Sequence, residues 1–511
     1  MFAKTLSATL AGIDAIPVEV EVHITPNADV PATMIVGLPD AAVKESRERV
    51  RSAITSCAFP FPQGATLINL APADLRKEGA ISDLSIALCI LAASGIVDPA
   101  RLEGFLFAGE LALDGSIRPV KGILPVALMA RTKKEIHSLV VPARNVREAA
   151  VAADALNVYP VNSLKDVFAV LSGETAPLPR ENGISFSEPD WSGLPDFSEV
   201  KGQAGAKRAL EIAAAGGHNV LLSGPPGSGK SMLAKRMPGI LPPMTVEETL
   251  ETSRIHSILG LLGPDKPILK TRPFRSPHHT ISDAGLLGGG SNPQPGEISL
   301  AHNGVLFLDE LPEFKRNVLE VLRQPLENGN VTVSRASGSF LFPARFILMA
   351  AMNPCPCGHL GDTRHRCRCR SLQIQQYRAR LSGPLLDRID LHIEVPALSD
   401  VELTAAPTGE TSAEIRARVI RARRIQEERY RASGITCNAQ MGPSHLIKYC
   451  PLDRTLQGLL RHSIMEFGFS ARAYDKILRV ARTIADLAGE ENISRDHVFE
   501  AIGYRALDRR V

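Results

Sequence analysis

The chain has 511 residues, of which 44% are hydrophobic and 22% charged, and its formal net charge is +3. This length predicts two to four domains rather than one core. The small net charge argues against binding nucleic acid through a global field, so any such contact depends on local basic patches.

The first residues and the spacing of the cysteines predict the cellular compartment of the protein. No apolar run approaches the roughly 18 residues of a membrane span, and MFAKTLSATLAGID lacks the pattern of a signal peptide. Four of the eight cysteines are isolated and four are clustered, unlike a secreted disulfide framework. We therefore expect a cytoplasmic protein with no membrane partner.

Residues 1–172 alternate stretches with strand and helix periodicity. IPVEVEVHIT and ATLINLAP are typical of strands, whereas AAVKESRERVRSAI and SDLSIALCILAASGI are typical of helices. This mixture predicts an α+β domain built on a sheet. Residues 173–198 are rich in proline, glycine, serine and acidic residues, which predicts a linker.

NVLLSGPPGSGKSMLAKRM has the form of a phosphate-binding loop. An apolar strand leads into Gly224-x4-Gly229-Lys230-Ser231, and a helical stretch follows. Such a loop surrounds phosphate with backbone N–H groups at a helix N-terminus. Lys230 would reach the β- and γ-phosphates, and the Ser231 hydroxyl would bind Mg²⁺.

Two further strands end in polar residues. NGVLFLDELPEF presents Asp309, expected to join Ser231 around Mg²⁺, and Glu310, expected to polarise the attacking water. RFILMAAMN ends at Asn353, which would orient that water or contact the γ-phosphate. The predicted nucleotide-binding residues are Gly224, Pro225, Pro226, Gly227, Ser228, Gly229, Lys230, Ser231, Met232 and Asp309.

Roughly eighty residues separate the phosphate loop from its acidic partner strand, which predicts an insertion. RPFRSPHHTISDAGLLGGG and NGNVTVSRASGSFLFPA carry the candidate DNA-contacting side chains. Arginines on loops suit contact with a phosphate backbone, although composition alone is equally compatible with a solvated surface. These candidates are Arg272, Arg275, His278, His279 and Arg335.

CPCGHLGDTRHRCRC concentrates four cysteines in two pairs, Cys355 with Cys357 and Cys367 with Cys369. Four thiolates on two tight turns suit a tetrahedral, structural Zn²⁺ site, in which His359 or His365 would also be able to replace one thiolate. A redox pair and unligated loop thiols are the alternatives. The preferred interpretation is a zinc site.

Two arginines lie before and within the helical pattern that begins beyond residue 398. SGPLLDRIDLHIEV places Arg388 just before a strand, where an arginine is ordinarily a surface charge unless a neighbouring subunit presents its nucleotide. Arg472 begins a helix in SARAYDKILRVARTIADL and would reach the phosphates from there.

The order of these motifs resembles that of magnesium-chelatase-related AAA+ ATPases, and closely the ComM/YifB-like family. The resemblance implies a P-loop AAA+ three-layer α/β core over residues 199–398 with a helical C-terminal lid over 399–511, preceded by a Lon-protease-like α+β domain. It further implies Asn353 as sensor 1, Arg388 as the trans-acting arginine finger and Arg472 as sensor 2. The family forms hexameric rings, with the two inserts, a helix-2 insert and a pre-sensor hairpin, facing the pore.

The Lon-like domain lacks the residues for peptide hydrolysis. Ile81 and Leu124 stand where the resemblance places the Ser–Lys dyad, and neither side chain is a nucleophile or a base. Ser82 and Ser85 are interpreted as helix-cap and helix-surface residues.

The resemblance implies an ATP-driven motor on single-stranded and branched DNA. Its activity would be that of a branch-migration helicase in recombination during natural transformation, next to a recombinase filament, with ATP, Mg²⁺ and structural Zn²⁺ as cofactors. The alternative is a protein-remodelling ATPase or a chelatase-type metal-insertion chaperone. Chelatases need a partner with a D-x-S-x-S motif, which this sequence lacks.

Overall fold

The computed structural model describes residues 1–26, 32–179, 186, 189, 191–290, 293–335, 338–362, 364–399, 402 and 409–505, and at residue 335 the backbone alone. Among the helices in these ranges, none has the length and apolar character needed to cross a membrane.

Strands in the N-terminal part are β1 Phe2–Ala11, β2 Asp14–Pro26, β3 Thr33–Val36, β4 Gly64–Ala71, β5 Phe105–Phe107, β6 Glu110–Leu111, β7 Ile117–Arg118, β8 Ser138–Pro142 and β9 Asn157–Val161. Those that follow are β10 Val220–Ser223, β11 Phe274–Arg275, β12 Gly288–Gly289, β13 Gln294–Pro295, β14 Val305–Leu308, β15 Asn330–Arg335, β16 Gly338–Pro343, β17 Ile347–Met352 and β18 Leu391–Glu394.

The α-helices before the core are Ala41–Ser56, Asp83–Ala93, Ile123–Thr132, Val146–Ala149 and Leu164–Ser172. Those of the core are Ala204–Gly216, Lys230–Ile240, Val246–Ile258, Asp283–Leu287, Glu297–Leu300, Arg316–Glu320, Arg323–Asn328, Ser371–Arg378 and Gly383–Leu386. The C-terminal helices are Ser412–Tyr430, Pro443–Tyr449, Arg454–Phe467, Ala471–Ala488 and Arg495–Gly503.

In the described residues, the N-terminal domain is built on a mixed sheet in the order β3-β4-β2-β1-β5-β8-β9. The alternating pattern of β2 buries every second side chain against helix Asp83–Ala93, whose residues are all buried. Ile81 and Leu124 are also buried in this domain. Both predicted dyad positions therefore contribute to the core.

The two nearby serines are structural. Ser82 stands at the N-cap of helix Asp83–Ala93, and its hydroxyl accepts from that of Ser7 at 3.0 Å. Ser85 is not on the helix surface, contrary to our interpretation. It is buried and donates to the carbonyl of Phe107 at 2.7 Å. An almost wholly apolar helix has no solvent face, so its one small hydroxyl bonds to a neighbouring strand.

The second domain is built on a parallel sheet in the order β11-β14-β17-β10-β18, as the described residues show. Its strands are short apolar runs buried on both faces, as parallel sheets require. The first strand of the domain, β10, lies between β17 and β18. Strand order reverses there, and such a switch point opens a crevice at the carboxyl ends of the strands.

The C-terminal helices pack on the amino-terminal side of this sheet. Helix Ala471–Ala488 has a strongly amphipathic pattern and contacts helices Ala204–Gly216 and Ser412–Tyr430. The buried Asp390, just before β18, accepts from the Asn219 backbone N–H at 2.9 Å and from the Lys476 ammonium at 2.5 Å. The lid therefore docks where β10 and β18 begin.

The N-terminal domain packs against helix Val246–Ile258 of the core. The backbone N–H of Gly122 donates to the carbonyl of Ser257 at 3.0 Å. The Ser257 hydroxyl donates to the buried Glu148 carboxylate at 2.7 Å. Burial raises the pKa of Glu148. The helix that carries Leu124 is thus the docking surface for the core.

Candidate nucleotide site and cysteine cluster

The candidate nucleotide residues follow the carboxyl ends of neighbouring parallel strands. The phosphate loop follows β10, Asp309 and Glu310 follow β14, and Asn353 follows β17. Because these strands are parallel and adjacent, their carboxyl ends meet at one edge of the sheet. The structure therefore brings these predicted residues together at the switch point.

The phosphate loop closes tightly around the start of helix Lys230–Ile240. Gly227 and Gly229 have φ values of +74° and +92°, which favour glycine. A Cβ on Gly224 would lie 2.1 Å from the Val395 carbonyl oxygen, so only glycine fits beside β18. The free N–H groups of the helix N-terminus face the same loop.

Lys230 is buried in the loop. Its ammonium donates to the carbonyls of Gly224 and Pro225 at 2.8 and 2.9 Å, and to Asn353 Oδ1 at 3.3 Å. Burial lowers the pKa of Lys230, and the nearby Asp309 carboxylate opposes this effect. The contact with Asn353 links the phosphate loop to the end of β17.

The residues fit a nucleotide with Mg²⁺. The Ser231 hydroxyl donates to Asp309 Oδ2 at 2.5 Å, which brings together two oxygen ligands of the kind that Mg²⁺ prefers. Ser228 Oγ is buried and has no hydrogen-bond partner in the described residues. A buried, unpaired hydroxyl in a loop of this form suits a phosphate oxygen.

Glu310 has a left-handed backbone, with φ +52°, directly after β14. Its N–H donates to Asp309 Oδ1 at 2.9 Å. Its carboxylate Oε2 lies 3.3 Å from Nδ1 of His279, which follows β11 at the same edge of the sheet. A candidate DNA-contacting residue therefore touches the candidate catalytic base.

The cysteine cluster has the dimensions of a tetrahedral thiolate site. Cys355 Sγ lies 3.4 Å from that of Cys357, and both lie 3.7 Å from Cys367 Sγ, with Cys369 in the same group. Tetrahedral Zn–S bonds of 2.3 Å give S–S separations of about 3.8 Å. Backbone N–H donors of Arg368 and His359 lower the pKa of Cys357 to about 6, which favours a thiolate. The donor set fits Zn²⁺.

This cluster touches the phosphate loop. Gly358 has φ +83°, and a Cβ there would lie 2.6 Å from Pro226 Cδ. Its N–H donates to the carbonyl of Cys355 at 2.9 Å. The turn that carries the first cysteine pair therefore packs directly on the loop.

Comparison with known proteins identifies the family. The family models described as "Magnesium chelatase, subunit ChlI", "Subunit ChlI of Mg-chelatase" and "Magnesium chelatase, subunit ChlI C-terminal" match residues 196–403, 20–145 and 409–505. The chain is 46% identical to the competence protein ComM of Haemophilus influenzae over 99% of this chain and 98% of the relative. The chain belongs to the ComM/YifB-like family.

The three family models place this family among magnesium-chelatase-related AAA+ proteins, and two other relatives are similar to the chain. The chain is 44% identical to the uncharacterized protein YifB of Salmonella typhimurium, over 98% of this chain and 96% of YifB. It is 26% identical to the magnesium-chelatase 38 kDa subunit of Rhodobacter capsulatus, over 62% of this chain and 87% of that subunit. The AAA+ α/β core with a helical C-terminal part is confirmed. The family implies ATP and Mg²⁺ as ligands.

In this ComM/YifB-like chain, Arg388 and Arg472 lie at the amino-terminal edge of the sheet, opposite the phosphate loop. Arg388 precedes β18, forms an ion pair with Glu327 and donates to the Pro384 carbonyl at 2.5 Å. Arg472 Nη1 lies 3.2 Å from Asp387 Oδ2, beside Arg388. We expected Arg472 to reach the phosphates from the lid, but the structure places it beside the candidate finger.

Two of the candidate DNA contacts are engaged within the protein. The Arg272 side chain donates to the carbonyls of Pro242 and Asn303 and pairs with Glu248 at 2.7 Å. Burial lowers the pKa of Arg272. Arg272 therefore acts as a structural clamp within the protein and not as a contact for DNA.

Arg275 binds both oxygens of Glu297, at 2.6 and 2.7 Å, which leaves its charge largely compensated. His278 is exposed and its ring lies 4.1 Å from that of His279. The backbone of Arg335 ends β15, and its side chain lies outside the described residues. His278 and His279 therefore remain as the described candidates.

Sequence reasoning missed the acidic partners of Arg388 and Arg472. It also missed the buried Lys476–Asp390 pair. The predicted helix SARAYDKILRVARTIADL contains a lysine at a position of its apolar face, where charge is rare unless paired. That position was the available signal. No comparable sequence pattern marks Glu327 and Asp387 as partners, because both ion pairs join residues that are far apart in sequence.

Proposed function

We propose that this chain is a hexameric, ATP-driven DNA motor that acts in the cytoplasm as a branch-migration helicase. Its substrates would be single-stranded and branched DNA during recombination in natural transformation, next to a recombinase filament. The name of the Haemophilus relative, a competence protein, supports this biological setting. Membership of an AAA+ family, whose members typically oligomerise, supports the ring.

The proposed hydrolysis assigns one task to each side chain. Lys230 and the loop N–H groups bind the phosphates, while Ser231 and Asp309 hold Mg²⁺. Glu310 accepts a proton from the attacking water, and Asn353 orients that water. A Mg²⁺ ion held by Ser231 and Asp309 would neutralise charge on the phosphate oxygens.

Arg388 would complete the pocket of a neighbouring copy. It precedes β18, whereas the phosphate loop follows the adjacent β10, so four residues of strand, roughly 13 Å, separate the two edges. An arginine there supports action in trans, where its charge stabilises the transition state. The position of Arg472 beside it supports the same arrangement for sensor 2.

The contact between His279 and Glu310 carries the proposal. A motor that moves on DNA must couple DNA binding to ATP hydrolysis. Here a residue of the candidate DNA surface lies 3.3 Å from the candidate base. DNA phosphates that attract the imidazole would compete with Glu310 for it. Release of Glu310 would then leave its carboxylate available to activate water.

A structural Zn²⁺ ion in the cysteine cluster is part of the same proposal. It would fix the turn that packs on Pro226 and so hold the loop between Asn353 and Arg388. The exposed arginines at 366, 368 and 370 surround this cluster and would add to the DNA surface.

The deciding test is ATP hydrolysis by the purified chain with and without forked DNA. We expect stimulation by the DNA, unwinding of branched substrates, and no hydrolysis by the Lys230→Ala variant. Stimulation by an unfolded protein and not by DNA would favour the protein-remodelling alternative instead. Intact hydrolysis in Lys230→Ala would contradict the site assignment.

A further inference from the structure

A second group of metal-ligating side chains lies between the two cysteine pairs. His359 Nδ1 lies 3.0 Å from Asp362 Oδ2, and His365 Nδ1 lies 3.5 Å from the same oxygen. All three ligand atoms lie within 4.8 Å of one another. Neither histidine joins the cysteine group, contrary to the substitution we considered for the thiolate site.

We propose that His359, Asp362 and His365 bind a second Zn²⁺ ion, distinct from the ion of the four cysteines. Zn–N and Zn–O bonds of about 2.0–2.1 Å place tetrahedral ligand atoms about 3.3 Å apart. The two observed separations, 3.0 and 3.5 Å, bracket that value. Two imidazoles and a carboxylate are borderline ligands of the type that Zn²⁺ takes at three-ligand sites.

The surrounding backbone holds Asp362 for this task. Its side chain is 4% exposed, and Oδ1 accepts the Arg364 backbone N–H at 2.8 Å. This leaves Oδ2 directed at both imidazoles. The N–H of Asp362 donates to the His359 carbonyl at 3.2 Å, which closes the turn between two of the ligands.

The two imidazole rings lie side by side, with centroids 4.9 Å apart and planes tilted by 34°. One carboxylate oxygen therefore faces two ring nitrogens, as expected where three ligand atoms bind one ion. The side chain of Arg364 donates to the Leu398 carbonyl, so this neighbouring cation is engaged elsewhere.

Such an ion would close a short loop inside the cysteine cluster and leave one coordination position for water. The expected role is therefore to fix the chain between the cysteine pairs. The proposal does not rest on DNA or nucleotide binding, so its test is independent of the proposed function.

The test is a Co²⁺ titration of the metal-stripped, full-length chain. We expect two Co²⁺ ions per chain, one with thiolate-to-cobalt charge-transfer absorption and one without it. The His359→Ala/His365→Ala double variant should bind one ion and keep the charge-transfer band. His462→Ala is the matched control, because His462 is exposed and also has a carboxylate partner, Glu466 at 3.7 Å; it should bind two ions.

His365→Ala alone tests the site where folding is not at risk, since the His365 side chain is 67% exposed. We expect its second Co²⁺ to bind roughly ten-fold or more weakly. The proposal is overturned by a wild-type chain that binds at most one Co²⁺. It is also overturned if the double variant matches wild type, or if it loses the charge-transfer band while remaining folded by circular dichroism.

Discussion

Charged side chains of the candidate site are paired with neighbours rather than directed into an open pocket. Each pairing joins residues far apart in sequence, and each is exposed enough to exchange for another partner. Nucleotide, DNA or a second copy of the chain would compete for these groups. The pairs are Glu310 with His279, Arg388 with Glu327, and Arg472 with Asp387.

Replacing His279 by alanine should raise DNA-free ATP hydrolysis. The change removes the partner that holds the Glu310 carboxylate, and the exposed pair is worth about 0.5–1 kcal/mol, or two- to five-fold in rate. Stimulation by forked DNA should fall correspondingly. Steady-state ATPase rates with and without DNA measure both effects.

His462→Ala serves as the control, because this histidine is also exposed and paired with a carboxylate but lies in the C-terminal helices. Its rates should match wild type. A His279→Ala variant with unchanged basal rate and full DNA stimulation would show that the contact with Glu310 does not regulate hydrolysis.

Individual motif residues were predictable where chemistry requires them at fixed spacing. Lys230 lies where the strand, loop and helix of the phosphate motif place it. Ser231 meets Asp309 as expected, because each follows an apolar strand whose carboxyl end lies at the same edge of the parallel sheet. Arg272 was interpreted as a surface contact, yet it is clamped by backbone carbonyls. A proline-rich loop has no periodicity from which the direction of a side chain can be deduced. Its burial depends on packing between distant segments.

Helix Ala471–Ala488 is held to the core by a buried ion pair. Lys476 Nζ lies 2.5 Å from Asp390 Oδ1, and the two side chains are 10% and 6% exposed, respectively. Burial opposes ionisation, but the Lys476 ammonium and His218 hold the pKa of Asp390 well below its usual range. A carboxyl with a depressed pKa stabilises the fold above its unfolded pKa of about 3.9. That contribution is lost only as the pH falls toward the folded value.

Lys476→Met should therefore destabilise the docked lid by about 3–5 kcal/mol at neutral pH, because Asp390 would be left buried without its cation. The melting temperature, followed by circular dichroism, should fall clearly. The double variant Lys476→Met/Asp390→Asn should recover part of the loss. Equal stability of Lys476→Met and wild type would contradict a structural role for the pair.

The cysteine turn should transmit metal binding to the phosphate loop. Cys355→Ser is expected to lose the Zn²⁺ of the cysteine cluster and to weaken ATP binding, since Gly358 packs on Pro226. Metal content and nucleotide affinity are the measurements. Cys450→Ser provides a control, because Cys450 is a buried, isolated cysteine that follows helix Pro443–Tyr449. Zn²⁺-free wild-type protein would remove the proposed site.

Elements that form an apolar run next to a recognisable motif were predictable, and elements without such a run were not. The apolar runs before the phosphate loop and before Asp309 correctly predicted the two strands there. In the part of the chain that the structure describes, strand β11 has two residues and pairs with β14 alone, so nothing in its own sequence reveals it. Yet β11 positions His279 beside Glu310. The domain boundaries at residues 172, 198 and 398 remain predictions.

Assembly should be visible in mixtures of two inactive variants. Lys230→Ala lacks a working phosphate loop but keeps Arg388, and Arg388→Ala has the opposite defect. Mixing them should restore part of the ATPase activity, because some pockets would combine an intact loop with an intact arginine from the neighbour.

Mixing Lys230→Ala with Glu310→Gln gives the control, because both changes disable the same half of the pocket. That mixture should stay inactive. Full activity of Arg388→Ala by itself, or no recovery in the first mixture despite assembly, would contradict a pocket shared between copies.

The proposed role of Arg388 in a neighbouring pocket also limits how copies of the chain can associate, because Arg388 and the phosphate loop lie at opposite edges of the sheet. A contact that joins the carboxyl edge of one sheet to the amino edge of the next is heterologous, with different surfaces on the two partners. A two-fold dimer cannot form this contact, because its symmetry places the same edge of the sheet from both copies at the interface. Such a contact would propagate head to tail until rotation closed it, and every closed assembly would then have as many complete pockets as copies.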